Sequence, residues 1–221
     1  MQPPVDDEND KKNKGMKEIL RSLDRTQPGS HLIMVYPNLE ALREIYANYI
    51  VEQLRNNEIV LVLPYYETVE NVQTVLTKFQ EKKGDGVRID TYLDEGALVL
   101  VDAYEAFFGR KQSLDDTSSK DEIHLTHGTD NIVSLLRIVQ AQAKKLKKDG
   151  ITILVDLGCF LTNGGADYLL KYEKSIPQTF KDTGIKQLCI YHQRDFENRF
   201  SNSAQAILLD QHGRSVLMLD S

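Results

Sequence analysis

Residues 31–36 read His-Leu-Ile-Met-Val-Tyr and run directly into Pro37-Asn38. A short continuous apolar run predicts a strand buried on both faces of a parallel sheet, because a strand with one wet face would alternate. Asn38 is a suitable N-cap. Behind it Leu39, Leu42, Tyr46, Tyr49, Ile50 and Leu54 recur at helical spacing, which predicts a helix with one buried face.

This strand-then-helix unit recurs along the chain. Residues 59–63 form a second buried strand, ended by Pro64. Val69, Val72, Leu76 and Phe79 mark a helix that stops at Lys82, Lys83 and Gly84. Residues 97–101 predict a third strand, closing on Asp102. Residues 110–129 are almost without apolar side chains and predict a long loop, a feature that is usually disordered or functional. Asp130 opens the clearest helix, with a stripe of Ile132, Leu135, Leu136, Val139, Ala143 and Leu146 and a stop at Gly150. Residues 151–155 are the fourth strand, followed by Asp156. After Gly164-Gly165 come a helix over 167–180, a fifth strand over 188–191, a helix over 204–209 and a last strand over 215–219. Such alternation predicts an α/β fold: a mostly parallel central sheet with helices on both faces.

Residues 1–15 are polar and read as a disordered tail. Residues 16–28 hold a short amphipathic helix (Met16, Ile19, Leu20, Leu23) and a linker broken at Pro28-Gly29, and 29–221 read as one domain. A chain of 221 residues with 41% hydrophobic and 27% charged residues is ordinary for one soluble domain. No apolar run approaches the roughly 18 residues of a membrane span, and no signal-peptide core opens the chain, so a cytoplasmic protein is expected. The net charge of −6 argues against a nucleic-acid partner, which needs clustered cations. The dense run Lys144-Lys145-Leu146-Lys147-Lys148 falls at a helix end, where it suits the helix dipole. Cys159 and Cys189 both lie in apolar surroundings and read as buried free thiols.

In parallel sheets ligands bind at the carboxyl ends of strands. Those ends carry Tyr36-Pro37-Asn38, Tyr65-Tyr66-Glu67, Asp102 and Tyr104, Asp156, and residues 192–195. A phosphate-binding turn needs glycines and a lysine. The first turn has neither, Pro37 removes an N–H donor, and no GxxxxGK[ST] occurs, so ATP hydrolysis is not expected.

A family resemblance enters here. The stretch from Gly29 through Tyr36, the helix with Tyr49 and Ile50, and Asn57-Glu-Ile-Val-Leu-Val resemble the opening of the MEDS domain, a methanogen/methylotroph sensory domain named after the DcmR regulator. Leu169-Leu-Lys-Tyr-Glu173, Leu188-Cys189-Ile-Tyr191-His192 and Leu209-Asp-Gln-His212 resemble its later blocks in order and spacing. The resemblance covers roughly residues 29–220 and rests on the ordered set of blocks. It implies a RecA/KaiC-like fold with a degenerate P-loop and a role in sensing small organic compounds. Residue by residue it points to His31, Tyr36, Glu173, Cys189, Tyr191 and His212. The sequence carries no DNA-binding or kinase domain beside this one, and its 110–129 stretch is long and polar, so a direct transcriptional role is not expected.

The candidate ligand-binding set is therefore His31, Tyr36, Tyr65, Tyr66, Asp102, Asp156, Glu173, Cys189, Tyr191 and His212. Each has a plainer reading. His31 can bond a neighbouring backbone group, and the tyrosines can be packing. Asp156 can bond the adjacent turn, as a relic of a magnesium-site acid. Glu173 by default is exposed on its helix. Cys189 reads as a packed thiol unless His192 and Arg194 make it electropositive, and His212 can cap a turn. His124-Leu-Thr-His127, with Asp121, Glu122 and Asp130, has a zinc-compatible spacing but no cysteine partner, so neither metal nor cofactor is expected. The expected function is a non-catalytic sensory domain that binds a small organic ligand or a signalling protein at the carboxyl edge of the sheet. The alternatives are a homo-oligomeric assembly scaffold without a ligand and a cryptic enzyme or residual nucleotide binder using His31, Asp156 or Glu173.

Overall fold

The computed structural model describes residues 7–84, 88–109, 124–163, 165–181, 183–213 and 216–218. Six strands, β1 (His31–Tyr36), β2 (Glu58–Leu63), β3 (Leu98–Leu100), β4 (Gly150–Asp156), β5 (Lys186–His192) and β6 (Val216–Met218), form one sheet in the order β3-β2-β4-β5-β1-β6. Every pairing is parallel. The α/β reading holds, and the sheet is wholly rather than mostly parallel.

Ten helices cover it among the described residues: α1 (Asp7–Asp24), α2 (Leu39–Arg55), α3 (Val69–Lys83), α4 (Ile89–Glu95), α5 (Ala103–Phe108), α6 (His124–Leu146), α7 (Gly158–Asn163), α8 (Ala166–Lys181), α9 (Gln193–Arg199) and α10 (Asn202–Gln211). Successive strand side chains point to opposite faces, and the two cores divide accordingly. Met34 and Tyr36 join α1 to α4 on one face, and Ile33 and Val35 join α5 to α10 on the other. β1 is thus apolar on both sides, as its sequence required. Asn38 caps α2, its side chain accepting from Ala41 N at 3.0 Å.

Several boundaries differ from the sequence reading. Helix α1 starts at Asp7, inside the stretch read as a disordered tail; residues 1–6 lie outside the described part. Ile19 and Leu23 are buried against α2, and once that docked segment is helical, extending it into polar residues costs little. The same applies to α6, which begins at His124 instead of Asp130; residues 110–123 of the expected loop lie outside the described part. Helix α6 ends at Leu146, just before Lys147, left-handed at φ 54°, and Gly150 instead opens β4. Helices α4, α5, α7 and α9 are short, and their few apolar positions carry too little periodicity to be read.

The connection leaving β2 runs outward to β3, whereas the one leaving β4 runs the opposite way to β5. The crevice between the carboxyl ends of β2 and β4 is therefore a topological switch point, where such sheets place their ligands.

Candidate functional site

The expected site residues separate into two groups. The first lies at the carboxyl edge. Tyr36, wholly buried, donates its hydroxyl to Asp156 Oδ2 at 3.2 Å, and Asp156 Oδ1 accepts from Gly158 N at 3.0 Å. Asp156 therefore does bond the adjacent turn. Burial outweighs these donors and pushes its carboxyl up to about 7. Above it Tyr65 and Tyr66 meet edge to face, with ring centroids 5.0 Å apart. Tyr66 donates to Asp195 and packs near His192, and Tyr65 shares a 2.7 Å hydrogen bond with Thr162 on α7.

Between the ends of β2 and β3 and helix α7 opens a cleft of about 920 Å³. Tyr65, Tyr104, Leu100 and Val101 give it apolar surface, Thr68 and Thr162 give hydroxyls, and Glu70, Asp102 and Glu105 give carboxylates. No lysine or arginine is among its described lining residues. Asp102 enters by capping α5, accepting from Glu105 N at 3.0 Å. Beside the first turn the void lined by Leu39, Leu42 and Asp156 holds only about 20 Å³, room for a water at most.

The second group is interior. Residues His31, Gln187, Cys189 and Tyr191 project from β1 and β5 toward the layer containing α8 and α10, which supply Glu173 and His212. His31 Nε2 lies 3.1 Å from Cys189 Sγ and 3.3 Å from Glu173 Oε2. His212 Nε2 lies 3.5 Å from the same Glu173 oxygen, and the two imidazoles meet at a 39° tilt with centroids 3.9 Å apart. Tyr191 donates its hydroxyl to the other oxygen, Glu173 Oε1, at 2.6 Å. Burial raises the Glu173 carboxyl, while burial and then the neighbouring His212 lower His31 to about 3.

The plainer readings of this group fare differently. Glu173 is not exposed on its helix but fully buried. Cys189 is packed, yet its neighbour is His31 at the far end of the strand and not His192 or Arg194. His31 opens its strand, as its sequence position implies, so it and its partners lie away from the carboxyl edge at which binding was expected. Side chains of residues 124–130 lie outside the described part, so His124 and His127 are not placed. Gln187, which donates to Cys189 Sγ at 3.0 Å, was missed; its position two residues before Cys189 on one strand face was the available signal. Thr162 had none.

Residues 30–206 match the family of the methanogen/methylotroph, DcmR sensory domain. The chain belongs to the MEDS family. No curated protein matches it. The matched MEDS region contains His31, Glu173, Cys189 and Tyr191, but His212 lies beyond its end. MEDS membership makes this a domain of a sensory family; no described helix is long and apolar enough to cross a membrane.

Proposed function

We propose that this MEDS domain is a non-catalytic sensory module that binds an uncharged or cationic small organic molecule in the carboxyl-edge cleft, as part of a signalling system. The cleft carries this reading. Its volume lies within the roughly 300–1,000 Å³ of small-molecule sites, it opens at the carboxyl edge beside the switch point of the sheet, and its described lining joins aromatic walls to hydroxyls and carboxylates without a lysine or arginine. That charge pattern disfavours phosphates and carboxylates and suits amines, alcohols and other neutral molecules.

Loss of nucleotide binding fits the same reading. Pro37 stands where an N–H donor would be needed, the Asn38 side chain takes up the Ala41 amide in the first turn of α2 that would face a phosphate, and the adjoining void is small. A RecA/KaiC-like ancestor whose phosphate turn has closed would leave the neighbouring crevice free for another ligand.

Calorimetry and thermal shift on the purified chain test this with panels of small amines, small alcohols, carboxylates and Mg²⁺–ATP. Stabilisation by members of the first two panels, abolished in Tyr104→Ala, is the expected result. Tight Mg²⁺–ATP binding, or no response to any panel, overturns it.

A further inference from the structure

We infer that His31, Glu173, Cys189 and His212 form a binding site for one zinc-class divalent ion, buried between the sheet and helices α8 and α10. This is independent of the cleft and of what the cleft binds.

Four groups from distant parts of the chain each offer one ligand atom, and those atoms all lie within 4.8 Å of one another. Tracing hydrogen atoms shows what the cluster lacks. His212 Nδ1 lies 2.7 Å from the carbonyl of Leu208, which can only accept, so the ring proton sits there and Nε2 presents a lone pair inward. It faces Glu173 Oε2, also an acceptor when ionised, at 3.5 Å. Cys189 Sγ accepts from Gln187, and Tyr191 occupies the outer oxygen of Glu173. Lone pairs therefore converge on one point, and both Glu173 Oε2 and His212 Nε2 are buried without a hydrogen-bond partner. Buried orphans of this kind are rare because each costs about 1–3 kcal/mol. A positive centre between them removes the penalty for both.

The geometry and charge select the ion. Zinc–sulfur and zinc–nitrogen or –oxygen bonds of about 2.3 and 2.0–2.2 Å set tetrahedral ligand separations of roughly 3.3–3.7 Å. The separations of 3.1, 3.3 and 3.5 Å are close to that edge. A thiolate, a carboxylate and two neutral imidazoles neutralise a dication, which a buried site requires. Thiolate and imidazole favour zinc-class ions over magnesium or calcium. Each of three ligands also has an outer partner that orients it: Leu208 for His212, Tyr191 for Glu173 and Gln187 for Cys189. Four protein ligands with no open position make a closed site, suited to clamping β1 and β5 to α8 and α10 and not to activating water.

The test uses the full chain, purified reduced and without chelator, then stripped and reloaded with Zn²⁺ or Co²⁺. One zinc per chain by elemental analysis is expected, together with a thiolate-to-cobalt charge-transfer band in the near ultraviolet. That band should vanish in Cys189→Ala and survive in Cys159→Ala, the other cysteine. Zinc content should fall at least tenfold in His212→Ala and remain in His124→Ala/His127→Ala. If the Cys189 or His212 variant fails to fold, the cobalt spectrum of the wild-type and Cys159→Ala chains still decides thiolate ligation. Absence of both retained zinc and the cobalt band in folded wild type overturns the site, as does zinc retained at full stoichiometry by folded Cys189→Ala/His212→Ala.

Discussion

Glu173 grips Tyr191 with one carboxylate oxygen at 2.6 Å and turns the other toward His212, 3.5 Å away, with no hydrogen bond there. Burial outweighs the neighbours that favour the charged form and raises this carboxyl. Glu173→Ala would strand the Tyr191 hydroxyl and open a cavity, and should lower unfolding free energy by roughly 2–4 kcal/mol. Urea unfolding with and without chelator separates two origins of that loss. With a bound cation, chelator destabilises wild type and leaves Glu173→Ala unchanged. If a proton fills the gap instead, chelator is without effect on both, and Glu173→Gln is nearly as stable as wild type.

Asp156 gives a pH signature of its own. Its folded value of about 7 stands above the ordinary 3.8. Between those limits the folded chain holds more protons than the unfolded one, so this group's contribution falls as pH rises from about 4 to 7 and levels off above. At about 1.4 kcal/mol per pH unit the window is worth at most about 4 kcal/mol. His31, lowered to about 3, slopes the other way, so the quantity to measure is wild type minus Asp156→Asn. That difference should decline with pH; a flat difference between pH 4.5 and 8 would contradict the burial argument.

Lys186 pairs with Glu58 at the amino edge, both nearly buried, with Gln53 at 2.6 Å from Lys186 and Thr152 at 2.5 Å from Glu58. Lys186→Met leaves a buried carboxylate unpaired and should cost about 3–5 kcal/mol. Adding Glu58→Leu should recover most of the loss. A double-mutant cycle in urea that finds the two changes additive would show that the pair is not coupled.

Gly158 holds the tyrosine cluster close. A Cβ there would meet Tyr66 Cε2 at 2.6 Å, Tyr65 Cδ1 at 3.0 Å and Asp156 Oδ1 at 3.1 Å. Gly158→Ala must therefore displace the Tyr66 ring and press on Tyr65, which lines the cleft. We expect any ligand that stabilises wild type in the thermal-shift panels to bind at least tenfold more weakly to this variant while the chain stays folded by circular dichroism. Unchanged affinity would place the ligand away from Tyr65.

Long elements were legible because their patterns were strong. β1, β2, β4 and the buried stripe of α6 announce themselves by unbroken or periodic apolar residues, and Asn38, Gly84 and Asp156 stand where their local chemistry placed them. Short helices such as α7 were not, since six residues offer less than two turns of pattern. The interior cluster was visible residue by residue only through the family resemblance. Nothing in the spacing of positions 31, 173, 189 and 212 shows that β1 pairs β5 with His31 opposite Gln187, or that α8 and α10 roof that pair. Burial of Glu173 was equally hidden, because a lone Glu between Tyr172 and Lys174 reads as solvated.

The seat of His212 carries a mechanical implication. Its ring sits at the end of α10, and within a few residues the chain becomes β6, one of the two edge strands, paired along three positions of β1. A pull or release at that imidazole is thus transmitted over a very short tether to an edge of the sheet. Any event that loosens the interior quartet would be felt first along that border.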